Sequence, residues 1–188
     1  MKPYSNIFCF STTRHGGCSE GAYATMNCTH YCGDSPEHVK TNLESLAALL
    51  PERPRVIVVP RQTHTTNVRV ITDVPTSEEL QGVDAVVTQL KDFCLCVSTA
   101  DCVPVLLYDK EKEVIAAVHA GWRGTVGRIV EKTIEVMKSH YGSEGKDLVA
   151  CIGPSISLES FEVGDEVYAA FEEAGFDMFR IARRYGKW

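Results

Sequence analysis

Short apolar runs separated by polar residues fill the middle of the chain and predict a β-sheet region. They lie at residues 55–59, 67–71, 83–88, 94–98, 103–108, 114–118 and 148–152. Several are rich in β-branched residues, as is typical of strands. The polar break at residues 109–112 is short enough for the strands around it to form an antiparallel hairpin. A further strand is predicted at residues 7–11, and the sheet region is expected to be mixed.

Three other segments carry apolar residues at helical spacing. The first starts at a capping sequence around Pro36 and continues to residue 50, before Pro51. The second covers residues 125–140 and stops near Gly142. The third covers residues 164–173, ahead of Gly175. Strands and helices in this order predict an α/β (α+β) fold, and the length of 188 residues favours one domain.

Charge and composition narrow the possible functions. A formal net charge of -6 argues against a general nucleic-acid binder, which needs a basic face. No apolar run has the length of a membrane span, and the first residues do not have the pattern of a secretory signal. The eight cysteines are expected to be reduced, and most of them to pack as small apolar side chains. We therefore expect a cytoplasmic protein that contacts neither nucleic acid nor membrane.

Candidate chemistry lies at the ends of three apolar runs. His64, Cys102 and His119 each place a potential metal ligand there, beside residues that favour a turn. Each also has an ordinary structural explanation, because isolated cysteines and histidines frequently serve packing or hydrogen bonding. The carboxylate of Asp101 is expected to be buried as an orienting group. Arg123 follows a glycine-rich turn at a predicted helix start, where free amides could bind an anion.

Eight motifs spread along the chain resemble those of the YfiH-like family, also called the laccase-domain or multicopper polyphenol oxidase family. They are TTRHGG at residues 12–17, GD at 33–34, QTH at 62–64, DAVVT at 84–88, TADCVP at 99–104, HAGWRG at 119–124, IGP at 152–154 and FEVG at 161–164.

The resemblance implies a zinc site formed by His64, Cys102 and His119. It also implies purine nucleoside phosphorolysis, acting on adenosine, inosine and methylthioadenosine, with adenosine deamination as a further activity. The implied fold is a single-domain α/β/β/α-type sandwich with mixed β-sheets. Chains of this family continue past the position of Trp188, so residues 1–188 are expected to be one catalytic domain without the family's C-terminal segment.

Two histidines and a thiolate leave one zinc coordination position open for water or substrate. Arg123 is the first candidate for binding phosphate and Arg14 the second. Gln62 and Asp101 are further substrate-side candidates, because they neighbour the ligands in sequence. Purine nucleoside and phosphate are the expected small-molecule partners, and the oligomeric state is left open.

Three alternatives remain at this stage. Cys102 could be a nucleophile activated by His119, which would make the chain a metal-free hydrolase or deamidase. The chain could also bind purines or zinc without catalysis. A copper polyphenol oxidase is disfavoured, with copper only a minority alternative, because several copper ions need many histidines and the sequence has six.

Overall fold

The computed structural model describes residues 4–183. Its strands are β1 (Val56–Val58), β2 (Val68–Val70), β3 (Ala85–Thr88), β4 (Phe93–Leu95), β5 (Val103–Asp109), β6 (Val114–Ala120) and β7 (Leu148–Ile152). Its helices are α1 (Pro36–Leu49), α2 (Trp122–Val126), α3 (Ile129–Tyr141), α4 (Asp165–Glu173) and α5 (Met178–Ile181). Within this part of the chain, no helix combines the length and apolarity needed to cross a bilayer.

The strands form two sheets. The larger has the order β2-β3-β6-β5-β7, and β1 pairs with β4 in a separate two-stranded sheet. Strands β2 and β3 are parallel, whereas β3, β6, β5 and β7 pair antiparallel. The predicted hairpin of β5 and β6 is confirmed, as is the mixed character of the sheet.

Alternating residues of the central strands contribute side chains to two separate apolar cores. Ala85 and Val87 of β3 point towards α3 and join the core that contains Met137. Val86, the residue between them, joins Ala117 of β6 in a second core on the opposite face, together with residues of the small sheet. This alternation follows from the two-residue period of a strand. The helix, the large sheet and the small sheet therefore stack as layers, which confirms the predicted single-domain α/β sandwich.

Two predicted elements differ from the structure. Residues 7–11 form no strand, because this segment has no partner strand, and Phe8 is exposed. The helix predicted at residues 125–140 is two helices, α2 and α3, and the first starts at Trp122. The break comes at Arg128, whose φ of 60° is left-handed and interrupts the helix. Its guanidinium donates to the carbonyl of Ala174 at 3.1 Å, which fixes this corner against the end of α4.

A buried asparagine holds the N-terminal loop on α1. Asn42 has no solvent exposure, and its amide group donates to Ser19 Oγ and to the carbonyls of Thr25 and Asn27. Its Oδ1 accepts from the amide of Cys18 at 2.8 Å. One side chain thus satisfies several backbone groups of a loop whose regular structure is a single 3-10 turn, Gly21–Tyr23.

The cysteines are unpaired, as expected from the sequence. Cys9, Cys18 and Cys32 are exposed, so these three are not packed as buried apolar side chains. The other five are partly buried.

Candidate functional site

Three side chains from distant parts of the sequence meet at one end of the large sheet. They are His64, Cys102 and His119, and their candidate ligand atoms all lie within 4.8 Å of one another. Cys102 Sγ is 3.8 Å from His64 Nε2, and the two imidazole rings meet edge to face with centroids 4.9 Å apart. His119 is buried, Cys102 is half-buried and His64 is exposed, so the cluster has one side open to solvent.

The pairing of β3, β6 and β5 brings Cys102 and His119 together. His119 lies opposite Pro104 in β5, and Val103 lies opposite Ala120. Continuing that register by one pair places Cys102 opposite Gly121. Since residues two apart on a strand share a face, Cys102 and His119 project from the same side of the sheet.

Gly121 leaves the space in which the third ligand sits. A Cβ atom on this residue would lie 2.8 Å from His64 Cδ2 and 3.1 Å from Cys102 Sγ. Both distances are shorter than an ordinary carbon contact, so any larger residue would displace the two side chains. From the sequence, this glycine-rich turn is expected to offer free amides to an anion. The structure gives Gly121 a more direct role in the approach of the ligands.

His64 lies on the loop between β1 and β2, in the left-handed backbone region with φ of 62°. Few non-glycine residues adopt this conformation unless their surroundings hold them in it. Before it in the chain, the backbone of Arg61 pairs with that of Gln81. Gln62 then forms two side-chain hydrogen bonds with the backbone of Ser98, each 2.7 Å long. The loop is thereby tied to the segments around Gln81 and Ser98.

Asp84 is the residue that the sequence analysis missed. It precedes β3, has no solvent exposure, and its carboxylate accepts from the amides of Thr63, His64 and Thr65. It also accepts from Thr65 Oγ1 at 2.7 Å and lies 2.7 Å from His119 Nδ1. A signal was available, because an acidic residue between Val83 and Ala85 interrupts a run that is otherwise apolar.

The hydrogen bonds around Asp84 outweigh the effect of its burial. Burial alone disfavours the charged form, but donors from His119, Thr65 and Thr63 lower the pKa of this carboxyl from 3.8 to about 2. Asp84 is therefore a carboxylate throughout the physiological range. It brings a fixed negative charge to the inner side of the cluster.

The thiol of Cys102 has the opposite tendency. Burial raises its pKa, and the negative charges of Asp101 and Asp84 raise it further. A cysteine activated as a nucleophile has a lowered pKa, so these surroundings do not favour that role without a cation. A divalent metal would reverse the balance, since it stabilises the thiolate and is itself attracted by nearby carboxylates.

The spacing of Cys102 and His64 is close to that required by a small tetrahedral metal ion. Zinc bonds to nitrogen and sulfur place neighbouring ligand atoms about 3.3–3.6 Å apart. The observed 3.8 Å between Cys102 Sγ and His64 Nε2 is close to this value. Within residues 4–183, no other group of three or more histidine, cysteine or acidic side chains has this compactness. The described part of the chain thus offers one candidate metal centre, with two imidazoles and one thiol.

The other predicted site residues are not part of this cluster. Asp101 is exposed rather than buried, so its predicted burial is wrong, and the buried carboxylate beside the cluster is that of Asp84. Arg123 is exposed in the first turn of α2, where its guanidinium lies 4.2 Å from the centre of the Trp122 ring. Arg14 donates to the carbonyl of Ala24 on the N-terminal loop. The roles of these residues and of Gln62 in binding substrate stay predictions.

Comparison with known proteins gives a consistent family pattern. A family model described as multi-copper polyphenol oxidoreductase laccase matches residues 8–188. A purine nucleoside phosphorylase of Bacteroides thetaiotaomicron is 54% identical over 191 residues, covering 98% of this chain and 71% of that protein. An adenosine deaminase from an unknown prokaryotic organism is 40% identical over 190 residues, covering 97% of this chain and 72% of that protein.

Solved structures of similar proteins share the fold. YfiH of Bacillus licheniformis has a TM-score of 0.81 and 27% sequence identity, covering 87% of this chain. A Neisseria meningitidis protein has a TM-score of 0.73 and 37% identity, also covering 87%. The chain spans 64% of each of these two structures. It therefore corresponds to about two thirds of the length of the proteins that it matches.

We expect Gly121→Ala to weaken metal binding while leaving the fold intact, because the new methyl group would push His64 and Cys102 apart. Zinc affinity, measured by competition with a chromophoric chelator, should fall about tenfold or more. Gly145→Ala is the control, since a Cβ at this exposed glycine would meet no atom within 4 Å. Equal affinities for the two variants would contradict this role of Gly121.

The lowered pKa of Asp84 predicts a pH-dependent contribution to stability. The pKa of Asp84 is about 2 in the folded protein, below the ordinary 3.8. The ionised carboxylate therefore makes its full contribution to the free energy of unfolding at pH values above 3.8. This contribution is lost as the pH falls towards about 2. We expect wild type to be more stable than Asp84→Asn by a constant amount above about pH 5, and by a shrinking amount between about pH 4 and about pH 3. Urea denaturation of the metal-free proteins measures this difference. A difference that does not change over that range would show that Asp84 has no lowered pKa.

Proposed function

This chain belongs to the multi-copper polyphenol oxidoreductase laccase family, and from that premise we propose that it is a zinc-dependent purine nucleoside enzyme. Its proposed reaction is phosphorolysis of adenosine, inosine or methylthioadenosine, with adenosine deamination as a further activity. The observation that carries the proposal is the convergence of His64, Cys102 and His119 with one side open to solvent. The relatives named purine nucleoside phosphorylase and adenosine deaminase support the substrate class.

The number of clustered ligands supports a single zinc site over a multi-copper centre. Zinc binds imidazole and thiolate donors, and with three protein ligands it keeps its remaining position for water or substrate. When bound, zinc would act as a Lewis acid at that open position. A multi-copper oxidase needs several metal centres, whereas the described residues provide one compact cluster.

The open side of the cluster is where the nucleoside would lie. His64 borders this side and is exposed, so its imidazole can contact a substrate as well as hold the metal. His119 and Asp84 close the inner side, where both are buried. Water is thus excluded from the inner side of the site. The substrate would cover the open side, next to His64.

Arg123 is our candidate for holding phosphate. Its guanidinium is exposed, and it follows His119 by four residues at the start of α2. Stacking on Trp122 limits the orientations of the guanidinium, which favours a bidentate contact with an oxyanion. In phosphorolysis, this contact would hold phosphate for attack on the anomeric carbon of the ribose. Arg14 is a second candidate, on the N-terminal loop.

We further propose a reducing, cytoplasmic location. The eight cysteines are all unpaired, and three of them are exposed. Exposed free thiols are typical of proteins from reducing compartments.

Metal analysis tests the site. We expect the purified protein to hold about one equivalent of zinc and Cys102→Ser to lose it, because the hydroxyl of serine is a much poorer zinc ligand than a thiolate. Cys151→Ser is the control, since Cys151 is a partly buried thiol on β7 that is not among the clustered ligands. A metal-free wild type in which Cys102 alone reacts rapidly with iodoacetamide would favour the metal-free hydrolase instead. Copper in place of zinc would favour the oxidase.

Turnover tests the reaction. We expect inosine with phosphate to yield hypoxanthine, and adenosine without phosphate to yield inosine, both followed by chromatography. Arg123→Ala should raise the KM for phosphate and leave deamination nearly unchanged, because only phosphorolysis uses phosphate. If neither product forms while nucleosides still raise the melting temperature, the chain is a binding protein and the proposal fails.

A further inference from the structure

The carboxylate of Asp84 connects the two segments that carry the histidines. One segment is the loop at residues 63–65, and the other is strand β6 with His119. The backbone also takes part, since the amide of His119 donates to the carbonyl of Asp84 at 2.8 Å. Asp84 and His119 are directly opposed in the antiparallel pairing of β3 and β6, if the register of Ala85 with Val118 is continued by one pair. The position of Asp84 is therefore fixed by the sheet before its side chain makes any contact.

The two oxygens of the carboxylate have different donors. Oδ2 accepts from the amides of Thr63 at 3.2 Å and Thr65 at 2.8 Å, and from the Thr65 hydroxyl at 2.7 Å. Oδ1 accepts from the amide of His64 at 3.0 Å and lies 2.7 Å from His119 Nδ1.

This arrangement determines where the proton of His119 sits. An ionised carboxylate can only accept hydrogen bonds, so His119 Nδ1 must carry a hydrogen to make the short contact with Oδ1. In the neutral imidazole, Nε2 then keeps its lone pair. A metal can bind only a nitrogen with a free lone pair.

We propose that Asp84 is the positioning residue of the site, which selects the Nδ1–H tautomer of His119 and holds the His64 loop in its left-handed conformation. The inference rests on the metal site of the proposed function. It adds a residue outside the ligand set that prepares both histidines for binding. Asp84 itself is not among the clustered candidate ligands.

Asparagine at position 84 tests this idea with little change in shape. Its NH₂ group must face one of the two donor sets. Facing the Oδ2 donors, it would oppose two backbone amides, neither of which can accept a hydrogen bond. If the NH₂ group faces the Oδ1 donors, it opposes one backbone amide, that of His64. The second donor, His119 Nδ1, belongs to an imidazole, and an imidazole nitrogen can accept a hydrogen bond from the NH₂ group. The second orientation is favoured, and it makes His119 Nδ1 an acceptor and moves the proton to Nε2.

The experiment compares wild type with Asp84→Asn by two measurements on metal-free protein. Two-dimensional ¹⁵N NMR of the imidazoles in alkaline buffer should show Nδ1–H for His119 in wild type and Nε2–H in the variant. Zinc affinity, measured by chelator competition, should fall about 10- to 100-fold in the variant. An unchanged tautomer together with unchanged affinity would overturn the proposal.

Asp109→Asn is the matched control. Asp109 is also fully buried, and its Oδ1 accepts from the amides of Glu111 and Lys112, each at 2.9 Å. Asp109 lies at the end of β5 remote from Cys102. The Asp109→Asn substitution should therefore change neither the His119 tautomer nor the zinc affinity. If Asp109→Asn lowers zinc affinity as much as Asp84→Asn, the effect is one of general stability and the proposal is wrong.

The wild-type spectrum alone also decides the matter if Asp84→Asn does not fold. Nε2–H on His119 in metal-free wild type would overturn the proposal without any variant. The outcome is independent of turnover. If Asp84→Asn shows the expected tautomer and affinity while the wild type converts no nucleoside, the positioning role stands and only the proposed reaction fails.

Discussion

A buried negative charge at Asp84 imposes the constraint on which the candidate site depends. Transfer of a carboxylate out of water is very costly unless hydrogen-bond donors surround it. The chain supplies these donors from three consecutive loop amides, one hydroxyl and one imidazole. Meeting this requirement brings the amide of His64, a residue with a left-handed backbone conformation, and the ring of His119 to the same carboxylate. The site geometry is thus a result of solvating one carboxylate inside the protein.

The large sheet fixes the relative positions of the other residues at the site. Its register sets Asp84 beside His119 and Cys102 beside Gly121, all at the same end. Regular pairing of this kind leaves little freedom to the side chains that project from it, which explains why two of the three candidate ligands lie on or next to strands. The third arrives on a loop, and the missing side chain of Gly121 makes room for it.

The parts of the structure that depend on local pattern could be predicted, and those that depend on distant contacts could not. The hairpin of β5 and β6 follows from two apolar runs and a short polar break. The split between α2 and α3 does not, because Arg128 takes its left-handed conformation in a corner packed against Ala174 and Phe176. The candidate ligands could be named from motifs. The role of Asp84 could not, since its donors lie about 20 residues before it and 35 after it.

The loop amides of Thr63, His64 and Thr65 also have a consequence for local opening. Amides in helices donate to carbonyls of the same helix and amides in strands to carbonyls of a neighbouring strand, whereas these three all donate to a single side chain. Fraying of the sheet therefore does not determine how readily these three amides open to solvent. Any event that turns the carboxylate away releases all three together, so the loop that carries His64 behaves as one cooperative unit with its own opening free energy.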